Sequence, residues 1–145
     1  MYQYILLAID GSAHAERAAS VGIELARALG ARVLAFHAAP PYASLSYLIE
    51  VLGTPQRDYD LAMSEHAERY LASIAQAADV VGVSFASEYR YASQPYEAII
   101  DMAKARGCDL IVMGARGRHG VSHHLLGSVT HRVLLHGHLP VLVCP

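Results

Sequence analysis

Apolar residues along this chain fall into two alternating textures: short continuous runs, and longer stretches in which they recur every three or four positions. The first texture reads as a strand buried on both faces, the second as a helix with one apolar stripe. Residues 3–9 form the first run. Ser12 then stands where it can cap a helix whose stripe is Ala15, Ala18, Ala19, Gly22, Leu25, Ala26 and Leu29, and Gly30 is placed to stop it. A second strand is predicted over 32–38, followed by Pro40-Pro41-Tyr42 and an irregular stretch to about Gln56 with a short helix at 45–52. A long helix is predicted over 57–78, with Leu61, Ala67, Tyr70, Leu71 and Ile74 inward. The third strand follows Gly82, with Val83, Phe85, Ser87, Tyr89 and Tyr91 on one face. Gln94 or Pro95 opens a helix that carries Ile99, Met102 and Ala103 and ends at Gly107. A strand at 109–113, a helix at 127–136 and a strand at 140–144 complete the series.

Strands alternating with helices in this way predict an α/β fold: one parallel sheet with helices on both faces. In such sheets a ligand sits beyond the carboxyl ends of the strands, where the strand order reverses. The long unassigned segment at 38–57 is unusual for a compact domain, and such loops are often functional. No internal repeat or low-complexity tract interrupts the pattern, so residues 1–145 read as a single domain.

Composition narrows the partners. A net charge of −2 gives no reason to expect nucleic acid or an anionic membrane surface. The longest apolar run is too short to span a bilayer, and the first residues carry no basic segment of the kind that opens a signal peptide. Cys108 and Cys144 show neither metal nor redox spacing, the pattern of two reduced, buried thiols in a cytoplasmic protein.

Candidate chemistry gathers at two strand ends. The run at 109–113 gives way to Gly114-Ala115-Arg116-Gly117, and Gly127-Ser128 follows where the last helix begins. Glycines at such a junction let backbone approach a ligand, and a helix N-terminus offers unpaired N–H groups to an anion. Arg116 and Arg118 add cations, and Ser128 and Thr130 add hydroxyls. The first strand ends in Ile9-Asp10-Gly11-Ser12. If the first and fourth strands are neighbours at the reversal point, Asp10 faces the glycine loop and can accept hydrogen bonds from ribose hydroxyls. The chain has no G-x-x-x-x-G-K-[ST] and no G-x-G-x-x-G after the first strand, which excludes a P-loop and argues against a dinucleotide-binding domain.

The spacing G-x2-G-x9-G-S, with I-D-G-S after the first strand and P-V-L-V near the end, resembles the ATP-binding branch of the universal stress protein family. The resemblance runs from Tyr4 to Cys144. It implies a Rossmann-like, adenine-nucleotide alpha-hydrolase-like sheet of order 3-2-1-4-5. It also implies that Ala8, Ile9 and Asp10 line adenine and ribose, with Ser12 close by, and that Ala38 touches the adenine. Met113, Gly114, Arg116 and Gly117 would border ribose and phosphates, and Gly127, Ser128, Val129 and Thr130 would hold the phosphates. ATP with Mg²⁺ is the implied ligand, and a homodimer through the edge strand Val141-Leu142-Val143 the implied assembly.

Histidines crowd the same region: His119, His123 and His124, then His131, His136 and His138. With no Cys or carboxylate near them in sequence, they read as exposed or phosphate-proximal groups, not a metal site. His37 reads as a satisfied core or cleft-edge residue. Tyr42, Tyr47, Tyr59, Tyr89, Tyr91 and Tyr96 read as amphipathic rim or interface groups. The expected function is a cytoplasmic ATP-binding stress-response protein that acts by occupancy. A slow ATPase is the alternative, with Asp10, Arg116, Arg118 and His119 at hand but none in a dedicated catalytic context. A dimeric interaction module with a vestigial site is the second alternative, against which the intact loop argues.

Overall fold

A computed structural model of the chain describes residues 1–117 and 125–145, and their side chains except those of Ser46 and Leu48. Among the described residues, strands β1 (Tyr4–Ile9), β2 (Arg32–Ala39), β3 (Phe85–Tyr91), β4 (Leu110–Gly114) and β5 (Val141–Cys144) form one parallel sheet of order β3-β2-β1-β4-β5. The helices are α1 (Ala13–Leu29), α2 (Ser46–Leu52), α3 (Gln56–Val80), α4 (Pro95–Arg106) and α5 (Ser128–His136). Fold class and strand order are those expected.

The alternation of side chains along the strands divides the core into two layers. Ile5, Leu7 and Ile9 of β1 face Ala18, Ala19, Ile23 and Ala26 of α1 and Leu71, Ile74 and Ala78 of α3. Tyr4 and Leu6 face the opposite layer, with Ile99, Met102 and Ala103 of α4 and Val133 of α5. Each large side chain fully buried in this way, such as Phe36, Leu34 or Leu6, contributes roughly 1.5–3 kcal/mol by leaving water. Cys144 lies in the first layer and Cys108 in the second, both as free thiols. Burial pushes the Cys108 thiol up to about 11.

Helix α1 begins and ends as its caps dictate: the Ser12 hydroxyl accepts the Ala15 N–H at 3.1 Å, and Gly30 closes the helix in the left-handed region. Its buried stripe includes Ile23, whereas Leu29 is exposed. Two predicted positions on α3 exchange places. Leu61 is 54% exposed, while Tyr59 is buried and its hydroxyl donates to the Pro40 carbonyl. The two residues lie about 200° apart around a helix of 3.6 residues per turn, so one excludes the other from the inward face. Asp109 precedes β4 instead of opening it, because its carboxylate accepts the N–H groups of Gln3 (2.8 Å) and Tyr4 (3.1 Å). Val83 likewise precedes β3: its N–H closes the end of α3 on the Ala78 carbonyl at 3.0 Å.

The segment at 38–57 is more ordered than its sequence suggests. A 3₁₀ turn at Tyr42–Leu45 leads into α2. The Tyr42 hydroxyl donates to the Thr54 carbonyl at 2.8 Å, and the Tyr42 and Tyr59 rings meet edge to face at 5.6 Å. Among the described residues no helix is long and apolar enough to cross a membrane.

Candidate functional site

The reversal of strand order falls between β1 and β4, which pair directly through Ile5–Leu110, Leu6–Ile111 and Leu7–Val112. From the end of β1 the chain turns toward α1 on one face of the sheet. From β4 it leads on to α5, on the other face. A crevice opens where the two chains part.

Asp10 stands on the first lip of this crevice. Its Oδ1 accepts the Ser12 N–H at 2.9 Å, which holds the turn into α1. Its Oδ2 faces the second lip: a Cβ added at Gly117 would lie 3.0 Å from it. Two features separated by more than a hundred residues in sequence are thus opposed in space, with only backbone on the Gly117 side.

The loop glycines have different tasks. A Cβ at Gly114 would meet the Arg116 carbonyl oxygen at 3.1 Å and the His14 carbonyl group at 3.3 Å. Gly114 is therefore small so that the end of β4 can pack against the first turn of α1, and that space is filled by the protein itself. A Cβ at Gly127 would come within 3.2 Å of the Arg116 Cα and the Gly117 nitrogen. The Gly127 N–H donates to the Ala115 carbonyl at 2.7 Å, which closes the loop at its base. Gly117 alone of these three is bare toward Asp10.

Helix α5 starts at this base. Its N-cap, Gly127, has no side chain to satisfy the first N–H groups of the helix, and Ser128 is exposed in the first position. Thr130 is only 2% exposed, and its hydroxyl donates to the Gly114 carbonyl at 2.8 Å. It braces the loop from beneath, with its hydroxyl proton already committed. Arg116 Nε is buried with no hydrogen-bond partner among the described residues, an orphaned donor of the kind an anion would satisfy. Beside the crevice, Ala8, Ala38, Met113 and Val129 share the face toward α4 and α5. The two alanines keep this wall low, so a flat apolar group can lie against the strand ends.

Residues 1–145 match the universal stress protein family. The chain belongs to that family. A universal stress protein of Thermus aquaticus is 38% identical to it over 143 residues, covering 99% of this chain and 98% of that protein. The solved structure of protein MJ0577 superposes with a TM-score of 0.80 at 26% identity, covering 99% of this chain and 96% of the other. The universal stress protein from Archaeoglobus fulgidus in complex with dAMP shares the fold, with a TM-score of 0.70 at 24% identity and coverage of 98% and 97%.

Arg118, His119, His123 and His124 lie outside the described residues. His136 lies against Tyr96, with ring centroids 5.2 Å apart and planes tilted by 34°. His37 is buried and its Nδ1 lies 2.8 Å from the Ile9 carbonyl oxygen, so Nδ1 carries the proton and donates. Tyr70 is the residue that sequence reasoning left out of the site. A Cβ at Gly11 would lie only 2.4 Å from its Cζ, a clash with the tip of the ring. The spacing that set Tyr70 on the inner face of a long helix contained no signal that its neighbour would be the turn carrying Asp10.

Proposed function

We propose that this universal stress protein binds an adenine nucleotide, ATP with Mg²⁺, in the crevice between Asp10 and the loop that runs from Gly114 to Gly127. The observation that carries this reading is the Asp10 carboxylate opposed to bare backbone at Gly117, next to a helix N-terminus whose N-cap residue, Gly127, has no side chain. An acceptor and a set of donors thus flank one gap, as a nucleoside phosphate requires: Asp10 accepts from the ribose hydroxyls, and the first N–H groups of α5 hold phosphate oxygens. Arg116, with its orphaned Nε, and Arg118 add positive charge, and Ser128 offers an exposed hydroxyl. Gly114, Gly127 and Thr130 shape the loop, and Ser12 fixes the turn after Asp10. Ala8, Ala38, Met113 and Val129 form the wall beside the adenine, and Ile9, whose side chain faces the opposite core layer, offers only main chain there. Bound Mg²⁺ neutralises part of the triphosphate charge. The Archaeoglobus fulgidus protein, which has the same fold, was solved in complex with dAMP, which supports an adenine nucleotide as the class of ligand.

Occupancy, not turnover, is the output. Fast hydrolysis needs a group that orients water and others that stabilise transition-state charge. Asp10 is instead held by Ser12 and aimed at the opposite lip, a posture suited to accepting from a hydroxyl. A nucleotide that bridges the ends of β1 and β4 alters the surface around them, and a stress-response partner in the cytoplasm reads that surface. A second copy of the chain pairs along β5, whose Val141, Leu142 and Val143 are only partly buried.

Mass spectrometry of the nucleotide released from freshly purified protein tests the reading. ATP or ADP in near-stoichiometric amount is expected, with a thermal shift upward on adding millimolar Mg-ATP. No retained nucleotide together with no shift would overturn it.

A further inference from the structure

Asp10 sits in a turn that glycine makes loose. Gly11 has φ +81°, a conformation that glycine adopts freely and also leaves freely. A carboxylate next to such a residue is poorly aimed unless something else holds the turn. The structure supplies two holds from the face of the sheet opposite the adenine wall. The first is His37, buried at the end of β2, whose Nδ1–H donates to the carbonyl of Ile9, the residue before Asp10. The second is Tyr70 on α3, whose ring occupies the space a side chain at Gly11 would take. The two holds support one another: the rings meet edge to face, with centroids 5.4 Å apart and planes at 81°. His66 and Arg69 flank Tyr70 on its own helix, at 6.1 Å and 5.9 Å from its ring.

We infer that His37 and Tyr70 are positioning residues of the ribose subsite, fixing the main chain on both sides of Asp10 so that its free oxygen stays aimed at the opposite lip. This rests on the nucleotide reading given above. Neither residue touches the nucleotide; the pair acts through Asp10. With Ile9 and Gly11 pinned, and Oδ1 tied to Ser12, the carboxylate has little left to lose on binding, which is how preorganisation raises affinity for one particular group. That group is the ribose diol, so the pair sets discrimination for ribose, while the base and phosphate contacts are made by other residues.

The test compares ATP with 2′,3′-dideoxy-ATP by calorimetry in the unaltered protein and in four variants. The unaltered protein should prefer ATP by about tenfold, the worth of hydrogen bonds to a charged acceptor. Asp10→Asn should abolish most of this preference. Tyr70→Leu and His37→Leu should do the same from a distance, with dideoxy-ATP affinity within about twofold of the unaltered protein. Tyr70→Phe keeps the ring and should keep the preference. A folded Tyr70→Leu or His37→Leu protein that retains the full preference overturns the inference. So does a variant that weakens both ligands equally, since that marks a merely structural role. If the unaltered protein binds neither ligand, the nucleotide reading fails first and takes the inference with it. If either leucine variant does not fold, the other, acting from a different element, decides.

Discussion

At the starting ends of the strands, Asp109 accepts two main-chain N–H groups, from Gln3 and Tyr4. Arg106 reaches both Glu88, at 2.9 Å, and the Tyr4 hydroxyl, and the Arg32 guanidinium lies 3.9 Å over the Tyr4 ring. At the finishing ends, one oxygen of Asp10 looks across at a glycine, Arg116 Nε is buried without a partner among the described residues, and α5 begins on a residue with no side chain. Both ends are built of the same groups: a carboxylate, an arginine, main-chain N–H donors. At the first end they satisfy each other in a seam that borders a hollow lined by Gln3, Tyr4, Arg32 and Asp109. At the second they are held apart by Gly117. A buried polar group without a partner costs about 1–3 kcal/mol, so an open end persists where a ligand or solvent completes it. The contrast between polar groups paired at one end and unpaired at the other is what assigns function to one end of the sheet.

Substitutions that respect this contrast should separate stability from binding. The largest effect on stability is expected for Thr130→Val, which removes the buried hydroxyl that holds the Gly114 carbonyl. Chemical denaturation should show a loss of about 1–2 kcal/mol, and ATP affinity should fall as well because the loop loses its brace. Asp109→Asn weakens the seam and should cost about 1 kcal/mol in the same assay, with ATP affinity unchanged. An equal loss of affinity in both variants would erase the distinction between the two ends. The smallest effect concerns Cys108, whose thiol is pushed up to about 11 chiefly by burial. The raised value keeps the thiol neutral, so iodoacetamide should label Cys108 very slowly at pH 8, and the rate should climb steadily as pH rises toward that value. Rapid labelling at pH 8 would contradict the packed second core layer.

Much of this architecture was legible because its signals are local. Ser12 and Gly30 frame α1, Gly107 ends α4, and the runs at 3–9 and 32–38 are too continuous in apolar character for half-exposed strands. The candidate site was legible in its parts, Asp10 and the glycine loop, but not in its assembly. Their opposition depends on β1 lying beside β4, which came from the family resemblance and not from periodicity. The roles of Gly114, Thr130 and Tyr70 were not legible at all. Each is decided by a contact between elements far apart in the chain: Gly114 with the first turn of α1, Thr130 with the end of β4, Tyr70 with Gly11. The exchange of Leu61 for Tyr59 has a similar cause. The first turns of α3 meet the 38–57 segment as well as the sheet, and a tyrosine that can donate to Pro40 fits that mixed surface better than leucine does.

The central claim is that Gly117 keeps the gap open between Asp10 and the loop. Calorimetric titration of Mg-ATP into a Gly117→Val variant, checked for folding by circular dichroism, tests it most directly. The added side chain would press on the Asp10 carboxylate and fill the approach to the loop backbone, so affinity should fall by about a hundredfold or more in a protein that remains folded. Unchanged ATP affinity in that variant would contradict the placement of the site.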